Sequence, residues 1–455
     1  MNNKNKDIQE IINHLKATGF VFQGSEIYGG LANTWDYGPL GSLLSRNVKN
    51  MWWKEFITKD PSNYALDTKI LMNPKVWEAS GHVANFSDPL IENKKNNKRY
   101  RADHIVEELF PEIDVNKFTK KELSDFIKEN VKKYDNSDTD WSEIKEFHLM
   151  FETFQGVVID KKEKIYLRPE TAQGIFVNFK NVLRSTRSKL PFGVGQIGKS
   201  FRNEVTPGNF IFRTREFEQM ELEIFSKPEE SMEIYKKYLE KVWQFILKLG
   251  IKEKSIRFRE HKEEELAHYS KATSDIEFLF PFGWGELLGV AHRGDFDLSA
   301  HSNFSGENLE YLDPITNTKY LPHVIEPSIG LDRLILALIV DSFEKETIEN
   351  NETRIVLKLN KNISPYKVAI LPLVKKLSEN AYKIFEHLLE HDISATFDDS
   401  GTIGKRYRRQ DSIGTYYSVT YDYDSLEDGK VTVRNRDTME QERIEIKNLV
   451  NYLRK

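Results

Sequence analysis

The sequence predicts an α+β fold: a largely antiparallel sheet flanked by helices, followed in the chain by a smaller α/β domain. Three observations lead there. Between residues 151 and 300, strand-like segments follow one another through turns, with one long helical pattern, at 229–249, among them. After residue 345 the rhythm changes to an alternation of strand and helix. A chain of 455 residues also exceeds one ordinary core. The expected division is 1–345 and 346–455, with a charged helical segment inserted at about 92–150.

In order along the chain, Ile8, Ile11, Ile12 and Leu15 recur at helical spacing over residues 7–18. A glycine-rich turn, "YGGLANTWDYGPLG", leads to Pro39. From there a helix is predicted to about residue 57, with Leu40, Leu43, Leu44, Val48, Met51 and Trp52 on one side. Such a stripe suits a core, and equally a subunit interface. Within the insertion, Thr119 and Glu122 form a capping box ahead of "LSDFI", and "NSDTD" (136–140) is a loop. The strand candidates that follow are "GVVID", "KIYLRPE", "GVGQIGKSFRNE", "FRTREFEQMELEIF", "KSIRFRE", "SDIEFLF" and "GELLGVAH". "EPSIGLDRLILALIVD" (326–341) ends a strand and starts an amphipathic helix with Leu331, Leu334, Ile335, Leu338 and Ile339 on one face. "EKETIENNETR" is a polar connector. Beyond it come the strand "YKVAILPL", a helix at "SENAYKIFEHLLEHD", the strand "ISATFDD", the helix "GTIGKRYRRQDSIG" and strands in "TYYSVTYDY" and "KVTVRNRD".

Composition excludes several classes. The formal net charge of −5 gives no bulk attraction to nucleic acid, so any such contact rests on local patches. The chain has no cysteine, which rules out disulfides, thiolate metal sites and a cysteine nucleophile. The opening stretch lacks the apolar core of a signal peptide, and "LILALIV" is far too short for a membrane span. The expectation is a soluble, cytoplasmic protein.

The segment "FRNEVTPGNFIFRTREFEQMELEIF" (201–225) mixes charges and aromatics on one ribbon. "TPGN" is turn chemistry, so a hairpin is expected. Strand alternation puts Arg213, Arg215, Phe217 and Gln219 on the face of Glu221, with Met220 and Leu222 towards a core, and lets Arg202 and Glu204 share a face. Guanidinium forks match phosphate oxygens, a phenyl face suits a purine, and a carboxylate accepts from an amine. Together these describe ATP beside an amino compound, unless the ribbon is a solvated hairpin with cross-strand ion pairs. Arg333, in the first turn of the 331–341 helix, adds to the positive helix end and calls for an anion opposite. Glu326 and Ser328 share a strand face just before it.

"FRNE…FRTREFEQMELE", "GLDRLILAL" and "DYGPLGSLLSRNVKNMWWKEF" resemble the three signatures of class II aminoacyl-tRNA synthetases. "RYRADH", "LRPETAQGIFVNF", "SDIEFLFPFGWGELLGVAHRGDFDL" and "EPSIGLDR" narrow the resemblance, which covers the chain from about residue 10 onward, to glycyl-tRNA synthetases of the single-chain, homodimeric type. The resemblance implies a class II catalytic domain with an antiparallel sheet, a C-terminal α/β anticodon-binding domain, and two-step chemistry. Glycine and ATP give glycyl-adenylate, and the glycyl group passes to the 3′ end of tRNA(Gly). It implies ATP contacts by Arg202, Asn203, Glu204, Phe212, Arg213, Phe217, Glu286, Leu287, Gly330 and Arg333, with Arg202 and Arg333 as the catalytic cations. It also implies glycine contacts by Arg101, Glu170, Phe217, Glu221, Arg293, Glu326 and Ser328, and Mg²⁺ at Glu286. In "KRYRR", Lys405, Arg406, Arg408 and Arg409 become candidates for tRNA phosphates, although such a run is more often a solvated face. The sequence departs from the family's pattern at Gly294, Tyr416 and Ser418, where threonine, proline and cysteine are usual. A catalytically silent, nucleic-acid-binding relative is the alternative. A synthetase for a larger amino acid would need a larger pocket.

Overall fold

The computed structural model describes residues 3–156, 163–204, 208–262, 266, 270–347 and 352–454. A seven-stranded sheet forms its centre. In chain order its strands are β1 (Asn63–Ala65), β2 (Phe192–Phe201), β3 (Glu216–Ser226), β4 (Ile256–Glu260), β5 (Ala272–Phe280), β6 (Gly283–Gly294) and β7 (His323–Gly330). The spatial order is β4-β5-β6-β7-β3-β2-β1, antiparallel throughout except for the parallel pair β1/β2. The expected antiparallel sheet is therefore present. "KIYLRPE" lies outside it, as a separate hairpin of Glu163–Tyr166 with Glu152–Gln155. Most of "GVVID" lies outside the described residues, as do Thr206 and Pro207 of "TPGN".

One face of the sheet is closed by helices. The predicted helix after Pro39 runs Pro39–Trp53 (α1) and continues as a wider turn over Lys54–Thr58. Leu40, Leu44, Val48 and Trp52 are buried in the same core as Met220, Leu222 and Ile224 of β3. Most of that stripe is thus used inside the chain, with Leu43 and Met51 left half-buried. The predicted 229–249 helix is Ser231–Leu249 (α2). The third, Leu331–Ser342 (α3), differs from the expected one-sided helix: Leu336, Ala337 and Val340 are fully buried as well. A helix apolar all round belongs in the middle of a core, and α3 lies there with strand side chains and α1 around it.

The inserted segment has a small core of its own, formed by Ile91, Ala102, Ile105, Val106, Leu123, Ile127, Val131 and Trp141. It comprises a three-stranded sheet (Ser87–Asn93, Lys98–Arg101, Lys145–His148) and the helices Ala102–Leu109 and Lys120–Asn130. The Thr119–Glu122 capping box is formed in both directions. The "NSDTD" stretch contains a two-residue strand, Ser137–Asp138, paired with Lys133–Tyr134. Asp135 and Asn136 turn between them at positive φ, as a tight hairpin requires.

The described ends of the polar connector are strands, Phe343–Thr347 pairing with Thr353–Leu357. Beyond it stands a five-stranded sheet of β8 (Val368–Pro372), β9 (Ala395–Phe397), β10 (Tyr417–Tyr421), β11 (Lys430–Asn435) and β12 (Gln441–Glu445), in the order β9-β8-β10-β11-β12. The helices α4 (Ser378–Glu390) and α5 (Ile403–Ser412) belong to this region, which has a separate core.

Candidate active site

The other face of the central sheet is a cleft of about 370 Å³, within the range of small-molecule sites. Its floor follows from strand alternation. Met220, Leu222 and Ile224 of β3 enter the core, which leaves Phe217, Gln219 and Glu221 facing the cleft. On β7, Ile325 and Ile329 are core residues while Glu326, Ser328 and Gly330 face the cleft.

The predicted hairpin exists, with Phe201 opposite Glu216, but its connection is the whole stretch from Arg202 to Arg215. Arg202 and Glu204 therefore stand in a loop, not on a strand. Phe210–Phe212 forms a single 3-10 turn. Strand counting fails before residue 216: Arg213 lines the cleft, while Arg215 turns away and donates to the carbonyls of Glu204 and Ala32.

At the open end, Arg202 donates from Nε to the Pro169 carbonyl at 3.1 Å, and its guanidinium lies 5.4 Å from the rings of both Phe217 and Phe86. Arg333 sits 4.5 Å over the Phe212 ring and donates to the Phe212 carbonyl at 3.1 Å. The anion demanded opposite Arg333 is Glu286, whose Oε2 is 3.0 Å from Nη1. Against the upward push of burial, that guanidinium holds the Glu286 carboxyl below the usual range. Close approach is built in at Gly285, where a Cβ would lie 3.0 Å from the Phe212 ring. Glu204, Arg213, Leu287 and Gly330 line the same end. Asn203 is absent from the lining and contributes a backbone hydrogen bond to the Leu149 carbonyl.

At the closed end, Glu170, Glu221 and Glu326 converge. Glu170 is held by His82 at 3.4 Å and by Gln173, which donates at 3.0 Å. Burial opposes its charge, but His82 and Arg293 prevail and keep the carboxyl well below its ordinary value. Glu221 is almost fully buried and accepts from the Thr171 hydroxyl. Burial and the charge of Glu170 push it up to about 6. Arg293, itself buried, grips Asp297 through Nε (2.7 Å) and Nη2 (2.8 Å) and Glu326 through Nη1 (2.5 Å). Burial nonetheless raises the Glu326 carboxyl, opposed by Arg293 and reinforced by Glu221 and Glu170. Ser328 is tied in by Gln219, which donates to its hydroxyl at 3.4 Å. Carboxylates outnumber cations here, so the closed end suits a small ligand bearing a positive charge.

Two predicted groups are elsewhere. Arg101 is clamped by Asp88 and Asp103 and lines a neighbouring cleft with His104 and Arg213, not the one containing Glu221. Arg406 is buried, with its guanidinium donating to the carbonyls of Pro372, Leu373, Asp398 and Gly401. A side chain used in this way has no reach to a phosphate. Arg409 is clamped to Asp398 and Arg408 stands 3.4 Å from Glu352, both partly exposed, and Lys405 is exposed.

Sequence reasoning missed Thr171 and Gln173, although both stand in the quoted string "LRPETAQGIFVNF". It also missed Asp297, four residues beyond Arg293, and Glu223, which continues the period-two series of Glu221. His82, His261 and Asp275 carried no local signal. His261 and Asp275 are 2.6 Å apart and both line the cleft.

Comparison with known proteins places these features together. Residues 115–343 match the tRNA synthetase class II core domain (G, H, P, S and T), and residues 367–455 match the anticodon binding domain. A glycine–tRNA ligase of Mycoplasmopsis synoviae is 63% identical over 99% of this chain and 100% of its own length. Glycine–tRNA ligases of Bacillus thuringiensis and Alkaliphilus oremlandii are 57% and 55% identical, each over 98% of both chains.

Proposed function

The chain belongs to the glycine–tRNA ligases, class II aminoacyl-tRNA synthetases that use ATP, and from that premise we propose how its cleft divides the work. Glycine's ammonium is held at the closed end by Glu170, Glu221 and Glu326. Arg293 and Ser328 fill the space a side chain would need, so larger amino acids are rejected sterically. ATP lies along the open end, its adenine against Phe217 and its amino group read by Glu204, with phosphates at Arg202, Arg213 and Arg333. The glycine carboxylate attacks the α-phosphorus, the bond to the β-phosphate oxygen breaks, and pyrophosphate leaves. Arg202 stabilises charge growing on the α-phosphate. Catalysis is by positioning and electrostatics, and no protein nucleophile takes part. The terminal ribose hydroxyl of tRNA(Gly) then attacks the glycyl carbonyl and displaces AMP.

Mg²⁺ fits this arrangement. Glu286 offers a carboxylate on the lining of the cleft with Asp275 close enough to feel its charge, and hard oxygen donors of this kind, with phosphates, suit the ion. When bound, it would neutralise phosphate charge. A homodimer and a cytoplasmic place of work are proposed on the resemblance. Among the described residues no helix is long and apolar enough to cross a membrane. Lys405, Arg408 and Arg409 are proposed to meet tRNA phosphates.

The observation that carries this reading is the convergence of Glu170, Glu221 and Glu326 at one end of a cleft whose other end holds Arg202 and Arg333. The test is Glu221→Gln in glycine-dependent pyrophosphate exchange. The glycine KM should rise at least about tenfold, the loss of one charge-assisted contact, with the ATP KM within about twofold. An unchanged glycine KM would refute the assignment of the closed end.

A further inference from the structure

Glu223 follows Glu221 on the cleft side of β3 but does not line the cleft. It is fully buried, and neither carboxylate oxygen has a hydrogen-bond partner. Orphaned buried carboxylates are costly and rarely kept without a use. Along β3 and β7, Glu221 pairs with Ser328 and Ile224 with Ile325, so the register sets Glu223 directly opposite Glu326. One oxygen each of Glu221, Glu223 and Glu326 lies within 4.8 Å of the others.

Two carboxylates facing each other across adjacent strands, one of them wholly out of water, are not both charged without a strong penalty. The groups facing Glu223 decide which keeps the proton. From β7 comes Glu326, from its own strand Glu221, from β6 Arg293, and from the following helix Asp297. The one cation among them, Arg293, is bonded to Glu326 and Asp297. Burial pushes Glu326 up too, to about 8, but Arg293 favours the charge on Glu326 over Glu223, and the proton is left to Glu223.

We infer that Glu223 is a neutral carboxylic acid beneath the glycine site that donates a hydrogen bond to Glu326, keeping that carboxylate ionised and aimed at the substrate ammonium. Glu223 is a positioning residue: it touches no substrate and acts through Glu326. Burial and the charge of Glu326 push its carboxyl well above the ordinary range, in agreement. The inference rests on the proposal that Glu221 and Glu326 hold glycine.

The test compares Glu223→Gln with Glu223→Leu in glycine-dependent pyrophosphate exchange. The amide still donates, so Glu223→Gln should keep the glycine KM within about twofold, whereas Glu223→Leu should raise it about tenfold with the ATP KM unchanged. In the native protein the glycine KM should rise as alkaline pH removes the Glu223 proton, and Glu223→Gln should lack that component. A normal glycine KM in Glu223→Leu, or equal impairment in both variants, would overturn the inference. Should Glu223→Leu fail to fold, infrared difference spectra decide. The native protein at neutral pH must show the carbonyl stretch of a buried protonated acid that Glu223→Gln lacks, and absence of that band overturns the inference. If Glu221→Gln raises the glycine KM while Glu223→Leu does not, this inference alone fails. If Glu221→Gln has no effect, the reading of the site fails.

Discussion

The cleft and helix α5 are both rich in charge, and they use it in opposite ways. In α5 and its surroundings the charges are satisfied by the protein. The two terminal nitrogens of Arg406 donate to four backbone carbonyls, Arg409 is clamped to Asp398, and buried Asp411 is shared by Arg354 and Arg434. In the cleft they are only partly so, for Arg333 is paired with Glu286 and Arg293 with Asp297 and Glu326. Burial and mutual repulsion raise Glu221 and Glu326, and Arg202 has a ring beneath it and a carbonyl beside it but no anion among its described contacts. A charged string in a sequence is a stronger sign of a binding site where the fold leaves some of its charges uncommitted.

That contrast can be broken or sharpened by substitution. The largest effect is expected for Arg202→Ala. Glycyl-adenylate formation should fall on the order of 10³-fold, the cost of losing a cation at developing charge, with thermal unfolding unchanged. A retained rate would remove the arginine from the chemistry. Next is Arg406→Leu, which strips backbone carbonyls of their donor. It should destabilise the protein by about 3 kcal/mol while leaving pyrophosphate exchange normal below the unfolding transition, as calorimetry beside kinetics would show.

A smaller effect comes from pH. Glu221 has a raised folded value of about 6 against an ordinary 4.5. Its contribution to stability is thus fully present below 4.5 and is lost as pH rises through about 6, where its charge becomes an internal cost. On the proposed assignment glycine binding needs that charge and should strengthen over the same interval, by about tenfold from pH 5 to 7 in titration calorimetry. Glu221→Gln should abolish the dependence. The smallest effect is expected for Lys405→Ala with Arg408→Ala: a rise of about threefold in the tRNA KM, a shallower salt dependence, and no change in adenylate formation.

Much of the cleft was legible because its strands obey period two. Phe217, Gln219 and Glu221 against Met220 and Leu222 could be read from alternation alone, and Glu326 with Ser328 likewise. Legibility ended where the backbone left the strand, which is why Arg215 was assigned to the wrong side. It ended also where partners come from far along the chain. The carbonyls that consume Arg406 include those of Pro372 and Leu373, and the acids that hold Arg101 include Asp88 across a sheet. Glu223 was within reach of the same alternation, but an apolar neighbourhood gives no local sign that an acid is orphaned. The burial of α3 on every side beyond Arg333 depended on the second layer around it, which no helical periodicity reveals.

The most direct test of the central claim is pyrophosphate exchange into ATP with each of the twenty amino acids in turn. The account predicts exchange with glycine alone, since the closed end binds an ammonium and excludes a side chain. Exchange supported by alanine or serine at rates near that of glycine would show that Arg293 and Ser328 do not close the pocket, and would contradict it.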